Sequence, residues 1–383
     1  MILILKPNIR PSNDEYQRLM DYLHNLPNIH LRLHHEQGHE VSLTEVHLIG
    51  STNQLSIEEM RRLPAVQSVV RVSERYRVMG RHKDDNRPTS FKYNGVEFGQ
   101  DNLNIFAGLC AVDTPESVEV MMKALRDNGQ VCTRMGAYKP RTSPYAFQGH
   151  GKQCLPYVFE LAGKYGIKVI AMEVTHESHV AEIHEALHRT GCPTGVMLQI
   201  GTRNTQNFEL LKTVGRQQSY PILLKRGYGI SLDESLHAAE YLASEGNQKI
   251  IFALRGIKSN LGDPHRNLVD FAQIAVVKRL TRMPVCVDPS HAVGSRDQAP
   301  DGILDVMHVT AQGVIAGANM VLVDFHPFPS KALVDGPQAL PVQLLPQFLE
   351  DVQVVHEAYQ RRRDLALCYD AEAFKYEAEA IAV

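Results

Sequence analysis

Close cysteine pairs are missing from this chain. Its 383 residues hold six cysteines, at 110, 132, 154, 192, 286 and 368, scattered along the whole length. That spacing excludes the disulfide framework of a small secreted domain and fits a reducing, cytoplasmic setting. Long apolar runs are missing too. None approaches the roughly 20 residues that span a bilayer, and the apolar start Met1-Ile2-Leu3-Ile4-Leu5 meets Lys6-Pro7, which reads as a strand and not a signal peptide. Charge of one sign is not in excess: the formal net charge is −3 and the pI is near 6.7. A nucleic acid or an anionic membrane is therefore not the main partner.

What remains is an ordinary globular composition, 44% apolar and 22% charged, with enough length for more than one domain. Residues 1–80 alternate as strand, helix, strand, strand, helix, strand, with strands over 2–5, 29–34, 40–49 and 66–72 and helices over 13–26 and from Ser56. This is the split βαβ order of a small ferredoxin-like α+β domain. His34, His35, His39 and His47 crowd its hairpin, but the pleat sends them to different faces without a thiolate or carboxylate set, so they read as solvated. Residues 81–90 are polar and read as a linker.

From Phe91 the pattern changes. A small hairpin over 91–96 precedes eight apolar runs, over 104–110, 130–135, 168–172, 196–200, 222–225, 249–254, 285–287 and 320–323, with helical segments between them. Eight buried strands alternating with helices indicate a closed (β/α)8 barrel, placed here at residues 91–358. An open dinucleotide-binding sheet is the rival, but no Gly-x-Gly-x-x-Gly follows the first run, where Leu109-Cys110-Ala111-Val112 stands. Residues 359–383 read as a helical tail.

Barrel chemistry sits at the C-terminal strand ends. Those ends carry Cys110, then Arg134 with Lys139, Arg141 and Thr142, then Glu173, Arg203, Lys225, Arg226, Arg255, His291, Asp324 and His326, with Asp335 in the last loop. Cations from several strands at one mouth repel unless anions neutralise them, so a ligand with two phosphates, or phosphate and carboxylate, is expected. Cys110, His291, Asp324 and Asp335 bring thiolate, imidazole and carboxylate to the same mouth, a set that suits Mn²⁺, Fe²⁺, Co²⁺ or Zn²⁺. After the second strand, Tyr138-Lys139-Pro140-Arg141-Thr142-Ser143-Pro144-Tyr145 sets two cations, two hydroxyls and two prolines within eight residues, the prolines holding Lys139 and Ser143 out of helix.

That segment, with Gly136-Ala137 before it and Phe147-Gln148-Gly149 after, resembles the signature of the short, regulated 3-deoxy-D-arabino-heptulosonate 7-phosphate (DAHP) synthases, relatives of 3-deoxy-manno-octulosonate 8-phosphate synthase. Gln199-Ile200-Gly201, Arg203-Asn204, Leu224-Lys225-Arg226-Gly227, Arg255-Gly256 and Asp288-Pro289-Ser290-His291 follow in the family's order. The resemblance implies condensation of phosphoenolpyruvate with erythrose 4-phosphate and release of phosphate. It implies Arg134 and Lys139 at the phosphoenolpyruvate carboxylate, Arg203, Lys225 and Arg255 at its phosphate, and Arg141 and Thr142 at the aldehyde's phosphate. Lys139 would deliver a proton, Glu173 would orient water, and Cys110, His291, Asp324 and Asp335 would hold the metal. It also implies an aromatic amino acid effector at the N-terminal domain and a homo-oligomer, dimer or tetramer.

Three motifs depart from the family pattern. Gly-Pro-Cys-Ser is here Gly108-Leu109-Cys110-Ala111, the strand 8 Glu is Asp324, and the Glu before the strand 6 Arg-Gly is Leu254. Aspartate reaches about 1.5 Å less far than glutamate, well beyond the tolerance of metal–ligand distances of about 0.2 Å. The departures leave open a paralogue that uses a different phosphorylated aldehyde, or a ligand-binding regulatory protein. His184-Glu185-Ala186-Leu187-His188 also fits a zinc-hydrolase motif, but Thr194 stands where a third histidine belongs. Gly149-His150-Gly151-Lys152 hints at a phosphate loop, but Ala146 and Gln153 break the pattern.

Overall fold

The computed structural model describes residues 1–37, 42–52, 55–70, 76–82 and 86–368. It divides into two compact units, Met1–Arg77 and Val78–Val383.

In the first unit β1 (Ile2–Leu5), α1 (Asp14–His24), β2 (Ile29–Gln37), β3 (Ser42–Gly50), α2 (Ile57–Arg61) and β4 (Val66–Val70) follow in turn. The sheet order is β2-β3-β1-β4, antiparallel throughout. Strand alternation decides what lies inside: Leu3, Leu5, Val46 and Leu48 are buried and meet Leu19, Leu23 and Met60 from the helices. Ser56 caps α2 by accepting from the Glu59 amide. The expected α+β unit is present. His35 Nδ1 meets Thr44 Oγ1 at 2.7 Å and His47 Nε2 meets Glu45 at 3.0 Å, while His39 lies outside the described residues.

The second unit opens on Val78 and Met79, whose amides donate to Glu240. Residues 81 and 89, in the stretch that reads as a linker, donate their amides to Leu280 and Arg282. The hairpin of β5 (Phe91–Tyr93) and β6 (Val96–Phe98) precedes β7 (Asn104–Leu109), α3 (Pro115–Asp127), β8 (Cys132–Met135), α4 (Leu155–Lys164), β9 (Val169–Val174), α5 (Ser178–Arg189) and β10 (Gly195–Ile200). Then come α6 (Phe208–Arg216), β11 (Ile222–Lys225), α7 (Leu232–Ser244), β12 (Ile250–Leu254), α8 (Gln273–Leu280), β13 (Val285–Val287), α9 (Pro289–Val293), α10 (Asp305–Ile315), β14 (Met320–His326), β15 (Leu340–Pro341) and α11 (Leu345–Cys368).

Strands β7 to β14 pair in parallel with their neighbours, and β14 returns to β7, so the sheet closes into the eight-stranded barrel read from the sequence. Its interior is a solid core with at least one side chain from every strand, among them Phe106, Cys132, Val169, Met197, Leu223, Ile251, Cys286 and Met320. Val96 and Phe98 of the hairpin join that core, with Phe91 and Tyr93 packed against it. Helix α11 runs unbroken through residue 359, where the tail was expected to begin, and Arg362 donates to the Ile315 carbonyl at 2.7 Å. No helix among the described residues is long and apolar enough to cross a membrane.

Candidate active site

The alternation that fills the barrel also builds its mouth. One step of two residues beyond the apolar layer, the same inward face carries Arg134 after Cys132, Glu173 after Ala171 and Lys225 after Leu223. Arg255 follows Ala253, Asp288 follows Cys286 and Asp324 follows Leu322 in the same way. Each of these polar side chains is under 9% exposed. Buried charges need partners. Arg134 pairs with Asp324 at 2.5 Å, Lys225 with Asp288 at 2.6 Å and Lys139 with Glu173 at 3.3 Å.

The loop after β8 is held by backbone contacts. Gly136 passes so close to Cys110 that a Cβ would lie 2.1 Å from its carbonyl oxygen. The Lys139 amide donates to Gln148, Tyr138 stacks on His179 at 3.6 Å, and its hydroxyl donates to Glu182 at 2.7 Å. Lys139 Nζ thereby reaches the floor of the mouth, 3.3 Å from Glu173 Oε2 and 3.3 Å from Cys110 Sγ. Burial works against the ammonium, but Cys110 and Glu173 outweigh it and raise the Lys139 pKa above its ordinary value.

A cavity of about 310 Å³ opens above this floor. Lys139, Arg141, Thr142, Glu173, Arg203, Lys225, Arg255, His291 and Asp335, all singled out in the sequence, line it. Arg134 does not. It lies below, its guanidinium bonded to Asp324 and 3.6 Å from Cys110 Sγ, so of the two cations expected at a substrate carboxylate only Lys139 reaches the wall. Arg255 is 3% exposed, and its Nε and Nη1 are buried without a hydrogen-bond partner. Burial lowers its pKa, with Asp288 opposing. A buried guanidinium with open donors on a cavity wall is a site prepared for an anion.

Three charged or aromatic side chains of the wall or floor were not singled out in the sequence. Tyr228 stands among Arg203 at 5.6 Å, Arg255 at 5.8 Å and Lys258 at 4.8 Å, its ring face shared by three cations. Arg266 bonds Asp335 Oδ1 at 3.2 Å. Asp288, read only as part of a motif, holds both Lys225 and His291. Of the three, only Asp288 could have been found from the alternation along its strand.

Cys110, His291, Asp324 and Asp335 offer ligand atoms that all lie within 4.8 Å of one another, a cluster capable of chelating a divalent ion. It fits one for reasons beyond proximity. His291 Nδ1 faces Asp288 Oδ1 at 2.9 Å, which leaves Nε2 toward Cys110 at 3.8 Å and Asp335 at 3.6 Å. A carboxylate behind an imidazole is the usual support of a metal-ligating histidine. Burial alone favours neutral His291, but Asp288 and Asp324 lift its pKa to about 10. Burial would raise Asp335, yet contacts with His291, Cys110 and Arg266 hold it far below the usual carboxylate range. Asp335 has φ 55, a left-handed backbone that turns it into the cluster. The short Asp324 is thus a member of the set, while His326 turns away to Asp113 at 2.6 Å.

The zinc-hydrolase motif does not assemble a site. His184 meets the Tyr220 hydroxyl at 2.9 Å, His188 faces Cys192 at 3.7 Å, and Glu185 pairs with Arg189. Among the described residues the Cys110 cluster is the only metal-capable group of three or more. Gly151–Gln153 form a short 3-10 turn, and the ring of His150 bonds the Asp113 carbonyl.

The DAHP synthetase I family matches residues 79–361. The chain belongs to that family. A phospho-2-dehydro-3-deoxyheptonate aldolase of Thermotoga maritima is 34% identical over 360 residues, covering 94% of this chain and 98% of the relative. The crystal structure of the Thermotoga maritima DAHP synthase covers 93% of this chain and 97% of its own, at 32% identity and a TM-score of 0.68. More distant is a 2-dehydro-3-deoxyphosphooctonate aldolase of Acidithiobacillus ferrooxidans, 26% identical over 68% of this chain and 92% of the relative. The family match starts at the barrel unit, while the Thermotoga relatives extend over the N-terminal unit as well.

Proposed function

We propose that the chain condenses phosphoenolpyruvate with erythrose 4-phosphate to give DAHP and inorganic phosphate, in a metal-dependent reaction at the barrel mouth. The observation that carries this reading is a cavity walled by six cations, Lys139, Arg141, Arg203, Lys225, Arg255 and Arg266, directly over a metal-capable cluster. Glu173, Asp288 and Asp335 offset three of these cations, the phosphates and carboxylate of the two substrates meet the rest, and a polarised carbonyl belongs beside the cluster.

Arg203, Lys225 and Arg255 bind the phosphate of phosphoenolpyruvate, and Lys139 its carboxylate. Arg141 and Thr142, at the outer end of the cavity, take the phosphate of the aldehyde. Arg134 acts through Asp324, holding that ligand from below. Cys110, His291, Asp324 and Asp335 would hold the ion, which when bound supplies polarisation of the aldehyde carbonyl. The enol carbon forms a bond to that carbonyl carbon, and Lys139 gives a proton to the resulting alkoxide. Water, oriented by Glu173, adds at the phosphate-bearing carbon and one of its protons restores the Lys139 ammonium; phosphate then leaves with the C–O bonding pair and the remaining proton as the new hydroxyl becomes the ketone. The clustered cations fix both anions in attack geometry and stabilise charge on oxygen.

Arg255→Gln is expected to raise the KM for phosphoenolpyruvate about 10- to 100-fold, the value of one or two charged hydrogen bonds. Steady-state kinetics with each substrate varied in turn check this, because the KM for the aldehyde should move far less. The alternative of a different aldehyde is tested by comparing kcat/KM for erythrose 4-phosphate and the five-carbon arabinose 5-phosphate. Preference for the latter would overturn the assignment of substrate but not of reaction.

The N-terminal unit, with a core of its own, is assigned the binding of an aromatic amino acid effector within a cytoplasmic homo-oligomer. Deleting residues 1–77 is expected to leave turnover within about twofold, given intact barrel contacts, and to abolish inhibition by phenylalanine, tyrosine or tryptophan. Inhibition that survives the deletion would put the effector site in the barrel.

A further inference from the structure

Gln338 belongs to no sequence motif, yet it is 2% exposed and both ends of its amide are engaged. Arg266 Nη1 donates to its Oε1 at 2.9 Å. A guanidinium has only donors, so this contact fixes which way the amide faces. Its Nε2 therefore points to the metal-capable cluster and donates to Asp324 Oδ2 at 2.6 Å. The Gln338 backbone amide donates to the Asp335 carbonyl at 3.2 Å, and Arg266 Nη1 also reaches Asp335 Oδ1 at 3.2 Å. One side chain thus ties a cavity-wall cation and the Asp335 loop to Asp324.

Asp324 is short and rises from a strand buried along its whole length. Arg134 holds Oδ1 and Gln338 holds Oδ2, so the carboxylate plane is fixed from two sides. Each oxygen keeps a lone pair, because an ionised carboxylate accepts about four hydrogen bonds. Oδ2 lies 3.7 Å from His291 Nδ1. Take Gln338 away and the one remaining strong contact pulls from the Arg134 side, away from the Asp335 loop. We propose that Gln338 is the positioning residue of the metal centre, holding Asp324 where an aspartate can complete the four-donor set. The proposal rests on the metal-dependent reading above. It carries a second consequence: a carboxylate one methylene longer at position 324 would run into the Gln338 amide, and shortening residue 338 would make room for it.

The test is a Co²⁺ titration of the ion-stripped, full-length chain, read by absorption. Wild type is compared with Gln338→Ala, the volume-conserving Gln338→Met, Asp324→Glu, and Asp324→Glu combined with Gln338→Ala. Both Gln338 variants are expected to bind Co²⁺ about 10- to 100-fold more weakly, as second-layer changes at metal sites do. The ligand-field bands should shift while the thiolate charge-transfer band from Cys110 persists. The double variant should bind more tightly than either of its single parents, a coupling that independent effects cannot produce. A merely structural role would lower the melting temperature of the ion-free protein and leave Co²⁺ affinity and spectrum unchanged. That result, or additive losses in the double variant, overturns the proposal alone. A wild-type chain that binds no Co²⁺ overturns the metal-dependent reading together with it.

Discussion

Lys139→Met lowers kcat by about 10²- to 10⁴-fold, the usual contribution of a positioned proton donor. Lys139 Nζ lies between Glu173 and Cys110, 3.3 Å from each, on the floor of the cavity and under 9% exposed. Its raised pKa keeps it protonated through neutral and mildly alkaline solution. The kcat profile should therefore show no loss from Lys139 until pH rises through that elevated value, since the active form is the charged one. Arginine is not expected to rescue, because a planar fork needs more room than an ammonium and is a far weaker acid. Methionine also leaves Glu173 buried without its cation, a loss of about 3–5 kcal/mol in stability for a broken buried pair. Because Glu173 itself orients water, the two effects are separated against Glu173→Gln alone. Adding Lys139→Met to that variant should leave stability little changed and still lower turnover by about 10²-fold or more. Unchanged turnover would remove Lys139 from proton delivery.

Stripping divalent ions with a chelator has a comparable effect, at least about 10²- to 10³-fold on kcat, if carbonyl polarisation is worth several kcal/mol. Cys110→Ala tests the same centre from the protein side. It removes the one soft donor of the cluster and leaves His291, Asp324 and Asp335. Thiolate favours Zn²⁺ and Co²⁺, whereas nitrogen and oxygen donors suit Mn²⁺ nearly as well. Affinity for Zn²⁺ and Co²⁺ should thus fall much more than affinity for Mn²⁺, measured by competition titration. Equal losses for all three ions would mean that Cys110 does not ligate.

The sequence carries the barrel because its strands are near-continuous apolar runs, which is what burial on both faces demands. It carries most of the mouth because Glu173, Lys225, Arg255 and Asp324 sit at run ends. It is less informative wherever a residue's role depends on a loop. Tyr228, Arg266 and Gln338 have no periodicity to mark them, and they reach the site through turns whose geometry only tertiary packing sets. Asp335 joins the cluster by way of a left-handed backbone that a non-glycine residue seldom adopts. Arg134 is the instructive intermediate case. Its type suggests a substrate contact, and it shares the inward face with Glu173, Lys225 and Arg255, yet its guanidinium turns to the metal-capable cluster, off the cavity wall. There it becomes the partner of Asp324.

The helix boundary near 359 and the polar stretch 81–90 teach the same lesson from the surface. Charged composition reads as a solvated tail or linker, yet Arg362 reaches the Ile315 carbonyl and Arg81 Nη2 reaches Gln100 at 2.9 Å. Long cationic side chains cover apolar surface and find carbonyls at a distance, so polarity alone does not place a segment outside the fold.

Phosphate release from phosphoenolpyruvate, followed with the ion-stripped chain before and after Mn²⁺ is restored, bears most directly on the chemistry assigned to the barrel mouth. The expected result is release that requires erythrose 4-phosphate, returns with the ion, and yields one DAHP for each phosphate. Release without the aldehyde, or undiminished turnover in the ion-stripped chain, would contradict it.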